Sequence, residues 1–333
     1  MNVEKIRVSI GSASVLELGS IARFKDPPTT CYIMTYKEGY CTANCGFCPQ
    51  ARSSSSPDEM LSRVNWPIFS FNDFLTKLKY LHSSKKFERI CIQTLNYAEN
   101  FNDLLKIITQ IKKHTNIPIS VAIPPMSKEK LRELKVKGVQ RVGIALDGTT
   151  PEIFEKIKGS DVGGPYAWEE HYQKLKEALE IFSPGFVSTH IIIGLGETEK
   201  EVIERIEELH NLNILVSLFA FMPIKGTKLE NLAQPTLLSF RKLQLGRFLI
   251  TNSEKKSKNF VFNRKGEITN ININKKELSM IINDTNTFLT AGCPGCNRPY
   301  YTSKPSGPIY NFPRKLSEKE KKEIYVLLHK FVN

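Results

Sequence analysis

Three cysteines lie close together in the run Cys41-Thr42-Ala43-Asn44-Cys45-Gly46-Phe47-Cys48. The spacing is C-x3-C-x2-C, with an aromatic residue immediately before the third thiol. Thiolates this near one another can face a single cubane, and a [4Fe-4S] cluster held by only three of them keeps one iron without a protein ligand. An open iron can bind a substrate or a cofactor. Zinc fits the trio less well, because a structural zinc site usually joins two well-separated ligand couples. A disulfide with one thiol to spare also fits less well. Disulfides persist in oxidising compartments, and Met1 to Val15 mixes Glu4, Lys5 and Arg7 with isolated apolar residues rather than forming the apolar core of an export signal.

A second sulfur-rich pair, Cys293-Pro294-Gly295-Cys296, stands near the C-terminus and is followed by Asn297, Arg298 and a stretch rich in aromatic residues and proline. A C-x2-C pair can be half a zinc site, a redox dithiol or part of a second cluster. The dithiol reading wants a helix start beside a βαβ unit, which this stretch does not offer. Cys31 opens the first expected barrel strand and Cys91 lies within the second, so both are expected to point into the lower lumen. The expectation is an auxiliary [4Fe-4S] cluster on Cys293, Cys296 and Cys31. Its fourth contact is Cys91 or a non-cysteine group such as Arg298, Ser303 or Ser306. The ordinary role of a lone strand cysteine such as Cys91 is that of a buried core thiol.

These residues need a scaffold, and the apolar pattern supplies one. Short runs rich in β-branched residues alternate with stretches of helical period, as in repeated βα units around a parallel sheet. Strands are expected at residues 31–35, 89–94, 117–123, 141–146, 186–193 and 214–221. Helices are expected at 72–81, 102–113, 128–136, 168–182, 199–212 and 237–251. Residues 260–273 read as a hairpin or as the last strands of a closed barrel. The fold class is therefore α/β, a TIM-barrel-like (βα) barrel, partial or complete, with an irregular C-terminal tail. The expected organisation is an extension over 1–26, the barrel over 27–290, and an auxiliary-cluster tail with a helix over 291–333. In barrels of this kind, function gathers on the loops at the C-terminal ends of strands, which is where the cysteine trio falls.

Two further loops share that position. Ile191-Ile192-Ile193-Gly194-Leu195-Gly196-Glu197 closes the fifth strand with two glycines, which let a ligand approach the backbone closely. The full G-x-G-x-x-G of a dinucleotide site is absent, because Glu199 and Lys200 follow. Asp147 ends the fourth strand as a short acceptor able to receive two ribose hydroxyls, or to cap the helix starting near Pro151.

The chain has 333 residues, 41% hydrophobic and 24% charged, enough for a full core in one large domain. Lysine and arginine number 47 against 34 acidic residues, a net charge of +13. Such basicity suits an acidic partner, although mixed runs such as 318–323 read as solvated surface. No zinc finger, RNA-binding signature or aromatic-basic stripe points to nucleic acid, and no apolar run is long enough to span a bilayer. The expected location is cytoplasmic.

The cysteine trio with Phe47 resembles the signature of radical S-adenosylmethionine (radical SAM) enzymes. That resemblance implies S-adenosylmethionine held by its amino and carboxylate groups on the open iron. One electron cleaves it to a 5′-deoxyadenosyl radical, which takes a hydrogen atom from the substrate. Ile193, Gly194, Gly196 and Glu197 lie in a stretch similar to the adenine-contacting segment of biotin synthase. Asp147 matches the ribose-binding aspartate of that group by position, and Phe47 would lie against the adenine. The resemblance has departures. Biotin synthase holds a deep cluster with cysteines on strands two, three and five. Cys91 matches the first, but Val121 and the pair Thr189-His190 stand where the others would be. The run Gln93-Thr94-Leu95-Asn96 also lacks the Gly-Gly-Glu that often holds the cofactor's amino group.

With a tail Cys-Pro-Gly-Cys in place of the deep cysteines, residues 27–314 look most like the archaeal biotin synthase-related proteins. Two such proteins act together as a lipoyl synthase, inserting sulfur at C6 and C8 of an octanoyl chain carried on lysine. The resemblance thus implies sulfur insertion, an octanoylated carrier protein or peptide, a second radical SAM partner protein and a ferredoxin-like electron donor. Other reactions open to the same superfamily are those of biotin synthase itself or of a radical mutase, lyase or methylase.

Overall fold

The first described strand, β1 (Lys5–Val8), falls inside the stretch expected to be an extension, yet it pairs within the main sheet. The computed structural model describes the chain apart from residues 1–2, 20, 22–23 and 83–86. After β1 come α1 (Ile10–Leu16), β2 (Thr30–Thr35), a flap of β3 (Met60–Leu61) and β4 (Val64–Asn65), and the short β5 (Ile68–Ser70). Helices and strands then alternate: α2 (Phe71–His82), β6 (Arg89–Gln93), α3 (Asn100–His114), β7 (Ile119–Ile123), α4 (Lys128–Val136) and β8 (Val139–Ile144). Next are α5 (Pro151–Ile157), α6 (Trp168–Phe182), β9 (Val187–Ile193), α7 (Glu199–Asn211), β10 (Leu215–Ala220) and α8 (Leu237–Asn252). The chain ends with the hairpin of β11 (Phe260–Phe262) and β12 (Ile268–Ile271), helix α9 (Lys275–Asp284), an irregular segment, and α10 (Glu318–Leu328).

The sheet order is β10-β9-β8-β7-β6-β2-β1-β5. The six strands from β10 to β2 are parallel to their neighbours, and β1 pairs antiparallel with both β2 and β5. The expected α/β architecture is thus present in its partial form, an open sheet. The hairpin at 260–271 forms its own two-stranded sheet and closes no barrel among the described residues.

Local chemistry explains the elements. Every residue of β2 is buried, as for a parallel strand covered on both faces. In α3, Leu104, Ile107, Ile108 and Ile111 recur every three or four positions and are buried, while Lys112 and Lys113 are exposed. Ser127, Thr150, Thr198 and Thr236 each accept a backbone N–H as helix caps, and Thr198 with Glu201 completes a capping box that starts α7 directly after the glycine loop. No helix among the described residues is long and apolar enough to cross a membrane.

Strand β8 starts two residues earlier than the sequence suggests, because Val139 pairs with Ile119. Asp147 lies beyond its end, in the left-handed region at φ 61, and keeps only an isolated bridge to Ile191.

Candidate active site

Between β2 and the flap, the cysteine loop is tied in three directions. The Cys41 amide donates to the Gln50 carbonyl at 2.9 Å and the Arg52 amide to the Ala43 carbonyl at 2.9 Å, closing the loop on itself. The Gly46 amide donates to the Ile157 carbonyl at 2.7 Å, and the Leu229 amide to the Gly46 carbonyl at 3.0 Å. The Asn44 side chain donates to the Val162 carbonyl at 2.6 Å and accepts from the Ser53 amide at 3.0 Å. A loop without regular structure is thereby held to α5 and to the chain following β10.

Cys41, Cys45 and Cys48 are free thiols facing one cavity of about 300 Å³. The Cys41 sulfur accepts backbone N–H groups from Asn96 at 3.1 Å and Ala43 at 3.4 Å, a pattern suited to a thiolate. Burial raises the Cys45 thiol to about 12. Burial also raises Cys48, and the neighbouring Cys45 and Cys41 raise it further. Without a metal these thiols keep their protons, and a bound cation reverses that balance by stabilising the thiolate. Among the described residues, no three His, Cys, Asp or Glu groups are grouped to hold a single metal ion. That is compatible with a cubane, whose irons and sulfides stand between its thiolates, so the trio fits a [4Fe-4S] cluster.

The loop expected to touch adenine follows Ile192, which lines this cavity, while Ile193, Gly194, Gly196 and Glu197 themselves do not line it. Gly194 and Gly196 have φ of 104° and 111°, which side chains rarely adopt. Glu197 folds back so that its carboxylate accepts the N–H of Gly194 at 2.6 Å and of Leu195 at 2.9 Å. Burial raises the Glu197 pKa, and those backbone donors oppose the rise. Phe47 and Ile192 pack against an apolar cluster that contains Ile153, Ile157, Leu195 and Phe221, so the cysteine loop and the glycine loop contribute to one cluster. Ile193 is buried in the main core.

Asp147 faces the same cavity but is not free. One carboxylate oxygen lies 2.8 Å from Lys158 Nζ and the other 2.8 Å from His190 Nε2. Burial alone would raise its pKa, but Lys158 and His190 hold it well below the usual carboxylate range. Helix α5 is capped by Thr150, which excludes the capping role for Asp147. No local pattern in the sequence marks Lys158 or His190 as a partner for it. The one available signal was the position of Thr189-His190 on a strand where biotin synthase has a cysteine.

At the other end of the cavity the tail brings in Cys293 and Cys296, which join Cys91 and Arg298 on its wall. The Ser120 hydroxyl donates to the Cys293 sulfur at 3.4 Å, and the Tyr32 hydroxyl lies 3.3 Å from the Cys296 sulfur. Burial raises the Cys91 thiol to about 12, with Arg298 opposing and Cys293 and Cys296 adding to the rise. The Arg298 guanidinium sits over the rings of Tyr301, Tyr32 and Phe219 at 4.6, 5.4 and 5.5 Å. Burial alone would lower its pKa, but the phenols and thiols around it raise it instead.

Three expectations for this end need correction. Cys31 does not reach the lumen. Side chains alternate along a strand, and Tyr32 and Met34 occupy the cavity-side cluster, so Cys31 points with Ile33 into the main core, at 0% exposure. Ser306 is exposed, which removes it as a buried contact. Ser303 is buried, but its hydroxyl accepts the Tyr310 amide at 2.9 Å and it does not line the cavity. The inward residues of β7 are Ser120 and Ala122 and those of β9 are Ser188, His190 and Ile192, so among the described residues the only thiol a strand gives to this end is Cys91.

The sequence profile of the Radical SAM superfamily matches residues 39–209, more than half of the chain. The chain belongs to that superfamily. Membership implies a [4Fe-4S] cluster and S-adenosylmethionine. The biotin synthase of Methanococcus aeolicus is 30% identical to this radical SAM protein over 205 residues, covering 60% of this chain and 57% of that one. The matches span less than two thirds of the length of such curated biotin synthases. Among solved structures, methylornithine synthase (PylB) aligns with a TM-score of 0.50 at 18% identity, over 72% of this chain and 68% of that chain. The FeFe-hydrogenase maturase HydG from Carboxydothermus hydrogenoformans aligns with a TM-score of 0.52 at 17% identity, over 72% and 54% respectively. These structural likenesses concern the fold.

Proposed function

We propose that this radical SAM protein inserts sulfur into an unactivated C–H bond, as a sulfurtransferase of the biotin synthase-like kind. One observation carries the reading: a single cavity has Cys41, Cys45 and Cys48 at one end and Cys91, Cys293 and Cys296 with Arg298 at the other. Two sets of thiols across one lumen fit an enzyme that needs a radical source and a sulfur source facing the same carbon.

Cys41, Cys45 and Cys48 hold the [4Fe-4S] cluster, and the Asn96 and Ala43 N–H groups steady the Cys41 thiolate. A cluster held by these thiols, with S-adenosylmethionine bound, would supply the one-electron chemistry for hydrogen-atom abstraction from the substrate. Phe47, Gly194, Gly196 and the Glu197-braced loop form the adenine side of the cofactor site. Asp147, already fixed by Lys158 and His190, faces its ribose. The walls of this cavity, given by the sheet and the tail, would exclude water and hold the substrate in register. Cys91, Cys293 and Cys296 bind an auxiliary cluster, and Arg298 compensates the negative charge of these thiolates.

Two substrates are supported by different observations. The tail thiols, in place of deep strand cysteines, favour an octanoyl chain on the lysine of a carrier protein, with a second radical SAM protein and a ferredoxin-like donor as partners. The biotin synthase relatives favour dethiobiotin. The deciding experiment reconstitutes the full chain anaerobically with iron and sulfide, then supplies reductant, S-adenosylmethionine and either dethiobiotin or an octanoyl-lysine peptide with the partner protein. Mass spectrometry should find 5′-deoxyadenosine together with sulfur gained by one of the two. Deoxyadenosine with sulfur in neither substrate would overturn sulfur insertion and leave a mutase, lyase or methylase.

A further inference from the structure

A second cavity, of about 550 Å³, lies on the other side of the Arg298 partition. It shares Arg298 and Tyr301 with the reaction cavity, so the two chambers have a wall in common. Its own walls are mostly apolar and aromatic, with Ile10, Phe24, Val64, Trp66 and Ile309 among them. They come from α1, the β3–β4 flap and the tail, the elements that cover the open side of the sheet.

The charges around this chamber do not balance. Asp26 is engaged by the Tyr300 hydroxyl and by Arg314 at 3.7 Å, and Arg314 is also held by Glu320 at 2.9 and 3.0 Å. Arg63 is different. It is half-buried, donates to the Tyr300 carbonyl at 2.9 Å, and forms no ion pair among the described residues; Lys25 and Arg298 on the same wall form none either, but Lys25 is exposed and Arg298 is enclosed by Tyr32, Phe219 and Tyr301. Desolvating a cation without a counter-anion is costly, and burial duly lowers the Arg63 pKa. The Trp66 indole Nε1 is also buried without a hydrogen-bond partner, but it is closed off from the chamber, so Trp66 offers its ring and not a donor. A planar guanidinium with free donors is matched to a carboxylate.

We propose that this chamber binds a molecule joining a carboxylate to an apolar chain, with Arg63 pairing the carboxylate and the chain lying along Trp66 towards the Arg298–Tyr301 wall. The site lies outside the cavity that carries the sulfur-insertion reading, and it rests on that reading only for the identity of the chain. The carboxylate has two sources, a free acid or an acidic residue beside an acylated lysine.

Binding to the full chain can be read without clusters, by titration calorimetry supported by the quenching of tryptophan fluorescence. The probes are octanoate, dethiobiotin, and an octanoyl-lysine peptide with or without a neighbouring glutamate. At least one carboxylate-bearing probe should bind. Arg63→Gln should weaken it by about tenfold or more, as expected for losing a charged hydrogen-bonding partner. Arg63→Lys should keep part of the affinity, and Trp66→Phe should weaken binding by a smaller factor. Binding of the free acids alone assigns the carboxylate to a small molecule, and binding of the glutamate peptide alone assigns it to a carrier. Failure of every probe with the native chain, or equal binding by Arg63→Gln, overturns the site. A probe that binds through Arg63 but gains no sulfur in the loaded enzyme counts against the reaction and leaves the site standing.

Discussion

The hydroxyl of Tyr32 lies 3.3 Å from the sulfur of Cys296, a residue 264 positions further along the chain. This relationship fixes the tail against the sheet. The Arg298 amide donates to the same hydroxyl at 3.0 Å, and Asn297 ties the segment to the Thr29 amide and the Pro27 carbonyl at 3.1 and 3.0 Å. The Gly295 carbonyl accepts the hydroxyls of Thr29 and Thr30 at 2.6 and 2.8 Å. Two thiols are thereby delivered to the lumen by a segment with no regular structure of its own.

If the tail thiols bind an auxiliary cluster, the double variant Cys293→Ala, Cys296→Ala should lose part of its iron. The reconstituted native chain should hold well over four irons and the variant about four, one cubane. The variant should still cleave S-adenosylmethionine while forming no sulfur-containing product. Equal iron contents would refute the second cluster.

Cys31→Ala should leave iron content unchanged, because that side chain packs with the main core at 0% exposure. It should cost about 1 kcal/mol of stability through the small cavity it leaves. Iron analysis beside a urea unfolding curve separates the two effects, and iron loss on the scale of the tail variant would contradict the strand parity.

Asp147→Asn should destabilise the fold by about 3 to 5 kcal/mol, the usual cost of breaking a buried ion pair from one side. Asp147 and Lys158 are only 6% and 8% exposed, so the lysine would be left charged in the interior. Adding Lys158→Met should recover part of the loss, which a double-mutant cycle in urea would measure. Simple additivity of the two changes would show that the pair is not coupled.

The buried imidazole of His171 should make stability depend on pH. Burial, aided by Lys158, lowers its pKa from 6.5 to about 3 in the folded chain. The unfolded chain therefore binds the extra proton first. The contribution is complete above about pH 6.5 and declines as the pH falls towards 3. His171 packs edge-on against Phe154 and Tyr166, so His171→Phe keeps an aromatic there. Between about pH 6 and 4 this variant should show a shallower fall in unfolding free energy than the native chain, and an identical slope would refute the assignment.

Gly194→Ala should weaken binding of S-adenosylmethionine and cost about 1–3 kcal/mol in backbone strain. Its φ of 104° is unfavourable for alanine, and an added Cβ would come within 2.7 Å of the Pro235 ring. Thermal unfolding and equilibrium dialysis of the cofactor would report the two losses. Native affinity in the variant would remove this loop from the cofactor site.

By itself the sequence determined the parallel βα order, the place of the cysteine trio after the first strand of that series, and the glycine turn after the fifth. These are short-range matters. Apolar period sets strands and helices, Thr198 and Glu201 start α7 from neighbouring residues, and three thiols within one loop need no distant partner. The tertiary structure decided the rest. Cys31 and Tyr32 are adjacent in sequence, but the pleat and the register that sets Tyr32 beside Cys91 send them to opposite faces of β2. Asp147 acquires Lys158 when α5 folds back on its turn, and His190 only when that turn and β9 come together. The Arg298 cage takes one ring each from β2, β10 and the tail. Such meetings depend on long-range packing, because side chains far apart in sequence share a cavity only after the sheet has formed and the tail has been fastened across its open side.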